Sequence, residues 1–207
     1  PVNFIEKNPE DWRTFPLRNQ NGSGTCVAQT GAKLLGIENF LEEGEYLDFS
    51  AVDVYSRRFN KPDSGMAGPD ALKIASDFGA CFQDDLNDQL ITEKQANQTV
   101  VRTDKMIADA KRYRAGGYVQ IPLSVDAIAS FIDQKQKGVM MFISFDYNEW
   151  NDTPTVAHDS PGEYRHSVTG VDFALHNGVR GIVIDDSWGR FNNWNGQRFL
   201  SEAFLKQ

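Results

Sequence analysis

Cysteine is scarce in this chain of 207 residues, which contains two, Cys26 and Cys81. A small secreted scaffold that depends on disulfides needs more cysteines than this, so the fold must be stabilised by the packing of its core. The scarcity also favours a reducing environment. We therefore expect a cytoplasmic or virion-associated protein rather than a secreted one that depends on disulfides.

The sequence also lacks long apolar runs and an excess of positive charge. No apolar run reaches the roughly 20 residues of a membrane-spanning helix, and no signal peptide opens the chain. The net charge of −8 argues against a general nucleic-acid-binding protein, because contacts with phosphates need a basic surface. The first residue is Pro1 rather than Met, so we expect that a propeptide or an adjoining domain was removed upstream.

The composition suits one globular domain with a proper core, since 40% of the residues are hydrophobic and 24% are charged. The first two-thirds of the chain has the pattern of helices joined by long loops, and the last third has the pattern of strands. The predicted helices cover residues 26–35, 51–60, 69–78, 103–114 and 125–136, and Gly36 is expected to end the first. The predicted strands cover residues 139–145, 166–173, 179–185 and 198–200. This order indicates an α+β fold with a helical lobe, about 20–115, and a β lobe, about 116–207.

Cys26 has the sequence surroundings of an activated nucleophile. It opens the first predicted helix, whose N-terminus carries about half a positive charge and favours the thiolate. His166, in a predicted strand of the β lobe, would place an imidazolium beside this thiolate. Asp186, at the end of the next strand, would accept a hydrogen bond from the second ring nitrogen and orient the ring. We therefore expect the active site to lie in a cleft between the two lobes.

An acyl-transfer site of this kind also needs hydrogen-bond donors for the oxyanion of the tetrahedral intermediate. The backbone N–H of Cys26 is one candidate, and the side-chain amide of Gln20 is the other if the intervening loop folds back. Gly22 and Gly24 permit such a tight return. A cysteine before a helix, a histidine in a strand and an aspartate at a strand end each have an ordinary structural explanation when taken singly. Their joint appearance in this order is what indicates catalysis.

The same residues belong to longer motifs that resemble those of the papain family of cysteine peptidases. Asp11-Trp12-Arg13 and Pro16-Leu17-Arg18-Asn19-Gln20 are similar to the opening of the family's mature enzymes, in which a glutamine stands six residues before the nucleophile. His166 follows Cys26 by 140 residues, within the spacing of the family. Asp186-Ser187-Trp188-Gly189 is similar to the family's Asn-Ser-Trp-Gly. The likeness extends from Asp11 to about Phe199.

This resemblance implies a papain-like two-lobed α+β fold, in which the N-terminal segment crosses over to the β lobe. It implies a cysteine endopeptidase that acts on a peptide or protein substrate without a cofactor or metal. The implied catalytic residues are Cys26, His166, Asp186 and Gln20. The implied substrate-binding residues are Gly24, Gly65, Met66, Arg165 and Trp188, the last of which would also shield the hydrogen bond between His166 and Asp186 from water.

The chain departs from the family's pattern at three positions. Ser23 replaces a cysteine that forms a disulfide, and Val27 replaces the aromatic residue after the nucleophile. Asp186 stands where the family has asparagine. A carboxylate there is expected to stabilise the imidazolium of His166 more than an amide would.

Three other interpretations stay open. A catalytically silent papain-like binding module would keep the fold, although such proteins usually lose the nucleophile. Another Cys-His-Asp amidase or acyltransferase would use the same chemistry, but with a shorter interval between cysteine and histidine. A metal site formed by His158, Asp159 and His166 lacks helical ligand spacing and a nearby second cysteine, which argues against it.

Overall fold

The structure is a computed structural model that describes residues 2–86, 91–156 and 162–206. The chain divides into two compact units. We call Arg18–Val119 the helical unit, and Pro1–Leu17 together with Gln120–Gln207 the sheet unit. Within the described ranges, no helix has both the length and the apolar composition that crossing a bilayer requires.

The helical unit contains, in its described residues, α1 (Cys26–Glu43), α2 (Ala51–Tyr55), α3 (Gly68–Asp77), α4 (Gln83–Leu86), α5 (Glu93–Ala96) and α6 (Asp104–Arg112). Their starts follow local chemistry, because Ser50, Thr92 and Thr103 accept hydrogen bonds from backbone N–H groups in the first turns of α2, α5 and α6. The four helices predicted here are confirmed, although α2 ends about a turn earlier than expected. α4 and α5 have four residues each, too few to produce a helical period in the sequence.

The prediction that Gly36 ends α1 is wrong. The helix continues to Glu43 and ends before Gly44, whose φ of 79° is the left-handed conformation of a C-terminal cap. Gly36 instead permits close packing, since a Cβ atom there would lie 2.6 Å from the carbonyl oxygen of Leu47 and 2.7 Å from the ring of Tyr46. Residues 27–33 are all buried, so α1 is a core helix and its first residue, Cys26, is held on a fixed element.

The sheet unit is built on a mostly antiparallel sheet. The described strands are β1 (Val139–Phe145), β2 (Thr155–Val156), β3 (Tyr164–His176), β4 (Val179–Asp185) and β5 (Gln197–Ser201), in the order β1-β3-β4-β5-β2. Among these described strands, β2 and β5 are the one pair that runs parallel. The four predicted strands are confirmed, with β1 and β4 at their predicted bounds. β2 has two residues and leaves no pattern in the sequence.

The described residues of the sheet unit also form two α-helices. α7 (Val125–Lys135) begins after Ser124, whose hydroxyl accepts a hydrogen bond from the N–H of Ala127, and α8 (Tyr147–Asp152) follows β1. The buried residues of α7 recur at helical spacing and pack against β3 and β4; they are Val125, Ile128, Ala129 and Ile132. The predicted helix over 125–136 is therefore confirmed.

The N-terminal segment also packs on this sheet. Lys7 Nζ lies 2.8 Å from Asp172 Oδ1 on β3. Trp12 is buried and makes edge-on contacts with the rings of His176 and Trp194, at centroid distances of 5.5 and 5.1 Å. The Trp of the Asp11-Trp12-Arg13 motif is thus a core residue of the sheet unit. Helices and a mostly antiparallel sheet in this order make the predicted α+β class the observed one.

Candidate active site

Cys26 is the first residue of α1, and its side chain is partly exposed. The helix is 18 residues long, and its first turn contains no acidic residue. The partial positive charge at its N-terminus therefore favours a thiolate at this position, and no carboxylate in the first turn counteracts that charge. The predicted location of Cys26 at a helix start is confirmed.

The loop before Cys26 is closed by hydrogen bonds between Gln20 and Ser23. The N–H of Ser23 donates to the carbonyl oxygen of Gln20 at 2.9 Å, and Gln20 Nε2 donates to the carbonyl oxygen of Ser23 at 2.7 Å. Asn21 and Gly22 make the turn with φ values of 48° and 71°. The loop folds back as expected, and Ser23 contributes hydrogen bonds at the position where the resemblance places a disulfide cysteine.

Glu93 links the loop before Cys26 to the loop at Gly65, a contact that sequence reasoning missed. The N–H of Gly24 donates to Glu93 Oε2 at 2.7 Å, and the hydroxyl of Tyr55 donates to Glu93 Oε1 at 2.8 Å. The N–H of Gly65 in turn donates to the Tyr55 hydroxyl oxygen at 2.9 Å. Burial raises the pKa of Tyr55, and the hydrogen bond to Glu93 raises it further. Because 69 positions separate Gly24 from Glu93, no local sequence signal indicates this contact.

Three predicted substrate-binding residues lie together in the helical unit. A Cβ atom on Gly24 would lie 2.7 Å from the backbone nitrogen of Gly65 and would also contact Ser64, so this close approach requires glycine. Met66 follows Gly65 and is partly buried. The structure therefore brings Gly24, Gly65 and Met66 together, beside the loop that leads to Cys26.

His166 and Asp186 are paired within the sheet unit. β3 and β4 run antiparallel with Thr169 opposite Asp185, so Asp186 leaves β4 near the position of His166 on β3. His166 Nε2 lies 2.9 Å from Asp186 Oδ1, and both side chains are buried. The predicted orienting partner of the histidine is therefore in hydrogen-bond contact with it.

Aromatic rings surround this pair. Trp188 lies 5.7 Å from the imidazole ring, Trp150 meets it edge-on at 5.8 Å, and Phe145 lies at 6.1 Å, all measured between ring centroids. Rings at these distances keep water from the hydrogen bond between His166 and Asp186 and so strengthen it. The position of Trp188 agrees with the shielding that the resemblance implies, and Trp150 adds to it.

Arg198 is a second residue of the candidate site that sequence reasoning missed. Its Nε donates to Asp186 Oδ2 at 2.8 Å, and both side chains are fully buried. One carboxylate oxygen of Asp186 is thus hydrogen-bonded to His166 and the other to the guanidinium of Arg198. The sequence offered one signal for this contact: Arg198 lies in a predicted strand. A charge buried in a strand needs a partner, so a carboxylate beside it could have been expected.

Arg165 does not lie on the same face as His166. The two residues are neighbours on β3, where successive side chains point to opposite faces of the sheet, and Arg165 is exposed. Tyr164 lies on the face of His166, and its ring is 5.9 Å from that of Phe145. A role for Arg165 in binding substrate stays a prediction.

No group of three metal-ligating side chains occurs among the described residues. His158 and Asp159, which the metal interpretation requires, lie outside them. His166, the third member, uses Nε2 for Asp186.

Cys81 differs sharply from Cys26. It is fully buried, and burial raises its pKa to about 12, with the charge of Asp53 and a hydrogen bond to it acting in the same direction. The thiol is therefore neutral at pH 7 and is no nucleophile.

The pKa of Cys81 predicts a loss of stability in alkaline solution. Above pH 9 the thiol ionises in the unfolded chain but stays protonated in the folded one up to about pH 12. The unfolded state is then favoured by up to about 1 kcal/mol for each pH unit. Urea unfolding of the wild type and of Cys81→Ala between pH 7.5 and 10.5 measures this contribution. We expect the difference between the two proteins to shrink as pH rises, and a constant difference would contradict the assignment.

Comparison with known proteins finds the same fold in several solved structures. No protein-family model matches the sequence, and no curated protein matches it. Among solved structures, xylellain, a cysteine protease from Xylella fastidiosa, aligns with a TM-score of 0.76 at 18% identity, over 99% of this chain and 87% of that chain. The cysteine protease CMS1MS2 of Carica candamarcensis aligns with a TM-score of 0.67 at 16% identity, over 93% of this chain and 90% of that chain.

A third structure is the proform of Amb a 11, a cysteine protease and ragweed pollen allergen. It aligns with a TM-score of 0.70 at 17% identity, and the match covers 93% of this chain and 58% of the proform. At such identities the likeness concerns the fold, and this fold is the predicted papain-like α+β one.

Proposed function

We propose that this protein is a cysteine peptidase that hydrolyses peptide bonds through a thioester on Cys26. His166 is the general acid and base, Asp186 orients it, and Gln20 with the backbone N–H of Cys26 binds the oxyanion. The observation that carries the proposal is the buried 2.9 Å hydrogen bond between His166 and Asp186, in a chain whose fold is that of cysteine proteases. A thiol at the N-terminus of a core helix supports it independently.

The proposed reaction begins with a thiolate on Cys26 and an imidazolium on His166. Because Nε2 is bound to Asp186, Nδ1 is the ring nitrogen that exchanges protons in this mechanism. The sulfur attacks the carbonyl carbon of the scissile bond, and the electron pair of the carbonyl moves to its oxygen. When the intermediate collapses, the C–N bond breaks and Nδ1 gives its proton to the leaving amine. His166 then takes a proton from water, whose oxygen attacks the thioester, and the acid product leaves as the Cys26 sulfur is released.

The oxyanion donors need a fixed orientation, since donors that must reorient during the reaction stabilise the intermediate less. The hydrogen bond from Gln20 Nε2 to the carbonyl oxygen of Ser23 provides such an orientation for this amide. The backbone N–H of Cys26 is fixed by its place at the start of α1. Both proposed donors are therefore preorganised.

The proposed substrate is an extended peptide that passes Gly65 and Met66 and approaches the backbone closely at Gly24. The N–H of Gly24 donates to Glu93, and Ser64 and Gly65 pack against its Cα, so the contribution of this glycine is to let the Gly65 loop lie directly beside the loop that leads to Cys26. In the proposal Trp188 excludes water from the pair formed by His166 and Asp186. Arg165 borders the pocket for the substrate residue two positions before the scissile bond.

A thiol-directed peptidyl epoxide tests the proposal. We expect one equivalent to react at Cys26, found by mass spectrometry of the digested protein, with a proportional loss of hydrolysis of a fluorogenic peptide. Cys81→Ala is the matched control and is expected to be labelled and inactivated like the wild type, because Cys81 is buried and protonated.

The alternatives give different results in the same experiment. A catalytically silent module leaves Cys26 unlabelled in the folded protein. Another amidase or acyltransferase is labelled at Cys26 but hydrolyses none of a library of fluorogenic peptides. Either result would overturn the proposal.

A further inference from the structure

We propose that Arg198 is a positioning residue for catalysis, which fixes the charge and the orientation of Asp186 and, through it, the ring of His166. The proposal rests on the proposed function, because it assigns Arg198 to the same site. Its basis is a continuous buried chain of hydrogen bonds, from His166 Nε2 to Asp186 Oδ1 at 2.9 Å and from Asp186 Oδ2 to Arg198 Nε at 2.8 Å.

The guanidinium of Arg198 is held in one orientation. Its Nη1 and Nη2 atoms donate to backbone carbonyl oxygens of four residues, at 2.7 to 3.2 Å; these residues are Trp150, Thr153, Phe191 and Asn192. The plane of the group also lies against the ring of Trp150, 4.5 Å from its centroid. With both Nη atoms hydrogen-bonded to the backbone, Arg198 presents Nε to Asp186 in a fixed direction.

The charges of Asp186 and Arg198 compensate each other. Both side chains are completely buried, and a buried carboxylate without a partner is strongly unfavourable. Burial by itself would raise the pKa of Asp186, but the hydrogen bond and charge of His166 and the charge and hydrogen bond of Arg198 together lower it. Asp186 is therefore ionised beside a permanent cation, and the pair has no net charge.

This neutrality explains how an aspartate occupies a position where the papain family has asparagine. The guanidinium of Arg198 compensates the negative charge of Asp186. His166 therefore meets an oriented hydrogen-bond acceptor whose net charge, taken with Arg198, is zero, as it would be for an asparagine. That Asp186 stabilises the imidazolium more than an amide would stays a prediction, and the cation on the other carboxylate oxygen is expected to reduce this effect.

Within the described part of the sheet unit, aromatic rings and Asp186 pack around His166. β1 presents the ring of Phe145, α8 presents that of Trp150, and the segment after β4 presents Asp186 and the ring of Trp188. On β3 itself, Arg165 lies on the opposite face and Tyr164 is mostly exposed. Removing the charge of Arg198 is therefore expected to act on His166 through Asp186.

Four variants test this assignment: Arg198→Met, Arg198→Lys, Asp186→Asn and the double variant Asp186→Asn/Arg198→Met. The measurements are the urea midpoint, the pH profile of kcat/KM for peptide hydrolysis and the NMR titration of the His166 ring. Arg198→Met removes the compensating charge, so we expect kcat/KM at pH 7 to fall about 10- to 100-fold. The imidazolium then faces an uncompensated carboxylate, so its titration and the alkaline limb of the profile move up by about one pH unit.

The double variant provides the sharpest result. Each of Arg198→Met and Asp186→Asn leaves one buried charge without its partner and is expected to lower the urea midpoint. The double variant removes both charges, so we expect its midpoint to exceed that of either single variant and its His166 titration to return towards the wild type. Arg198→Lys keeps the charge and is expected to leave the titration near that of the wild type.

Arg18→Met is the matched control, because Arg18 is another buried arginine that hydrogen-bonds to Gln29 and to the carbonyl oxygen of Phe49 in the helical unit. It is expected to lower the urea midpoint without moving the His166 titration. The assignment is overturned if the titration is the same in the wild type and in Arg198→Met, or if the double variant is no more stable than the less stable single variant. The NMR titration needs no substrate, so it tests the role of Arg198 independently of hydrolysis. A wild type that hydrolyses no peptide would reject the proposed function but would leave this test of Arg198 intact.

Discussion

Replacing Cys26 with alanine is expected to lower kcat for peptide hydrolysis by at least about 10⁴-fold, because the proposed thioester cannot form without the sulfur. Losing the nucleophile removes covalent catalysis and leaves only substrate binding and the oxyanion donors. The free energy of unfolding is expected to change by less than about 1 kcal/mol, since the side chain is small and partly exposed. Steady-state hydrolysis of a fluorogenic peptide, with urea unfolding of the same preparations, measures both effects.

Two further variants make this prediction specific. Cys26→Ser is expected to be as inactive as Cys26→Ala, because a serine hydroxyl at this helix start stays protonated where a thiol ionises. Cys81→Ala is expected to keep the activity of the wild type. Hydrolysis by Cys26→Ala at the wild-type rate would show that Cys26 is not the nucleophile.

Replacing Trp150 with alanine is expected to lower the free energy of unfolding by about 3–5 kcal/mol, the largest loss of stability that we predict for a single substitution. Trp150 is fully buried on α8, and its ring packs against Phe145 at 4.7 Å and Trp188 at 6.2 Å between centroids. Its removal leaves a cavity beside His166 and takes away the ring against which Arg198 lies. Chemical denaturation at pH 7 measures the loss.

Graded substitutions separate packing from polarity at this position. Among the described residues Trp150 Nε1 has no hydrogen-bond acceptor, so Trp150→Phe removes no hydrogen bond and is expected to cost much less than Trp150→Ala. Phe191→Ala removes a ring that is 52% exposed and is expected to change the free energy of unfolding by less than about 1 kcal/mol. Equal losses for Trp150→Ala and Trp150→Phe would contradict the packing explanation.

Local pattern was sufficient for most of the regular elements. β1 and β4 begin and end where the sequence predicts, because a run of apolar residues with turn residues on both sides marks a buried strand. The error at Gly36 has a physical cause. Glycine ends a helix when it takes a left-handed conformation and continues one when a neighbour packs against it, and only the contact with Tyr46 and Leu47 distinguishes the two.

The sequence predicted the central residues of the candidate site but not the residues that hydrogen-bond to them. His166 and Asp186 follow from residue type and spacing, and the structure pairs them. Glu93 and Arg198 were missed because neither belongs to a sequence motif that links it to the residue it contacts, Gly24 in one case and Asp186 in the other. Residue type alone could not identify these partners.

The sequence by itself determined the α+β order of elements, the place of Cys26 at a helix start and the pairing of a histidine with a carboxylate. These properties depend on periodicity, capping and residue spacing, which are local or additive along the chain. Tertiary structure alone decided the charge environment of that pair. The register of β4 and β5 brings Asp186 and Arg198 together in the buried interior of the sheet unit, and the energy of a buried charge depends on what lies beside it in space.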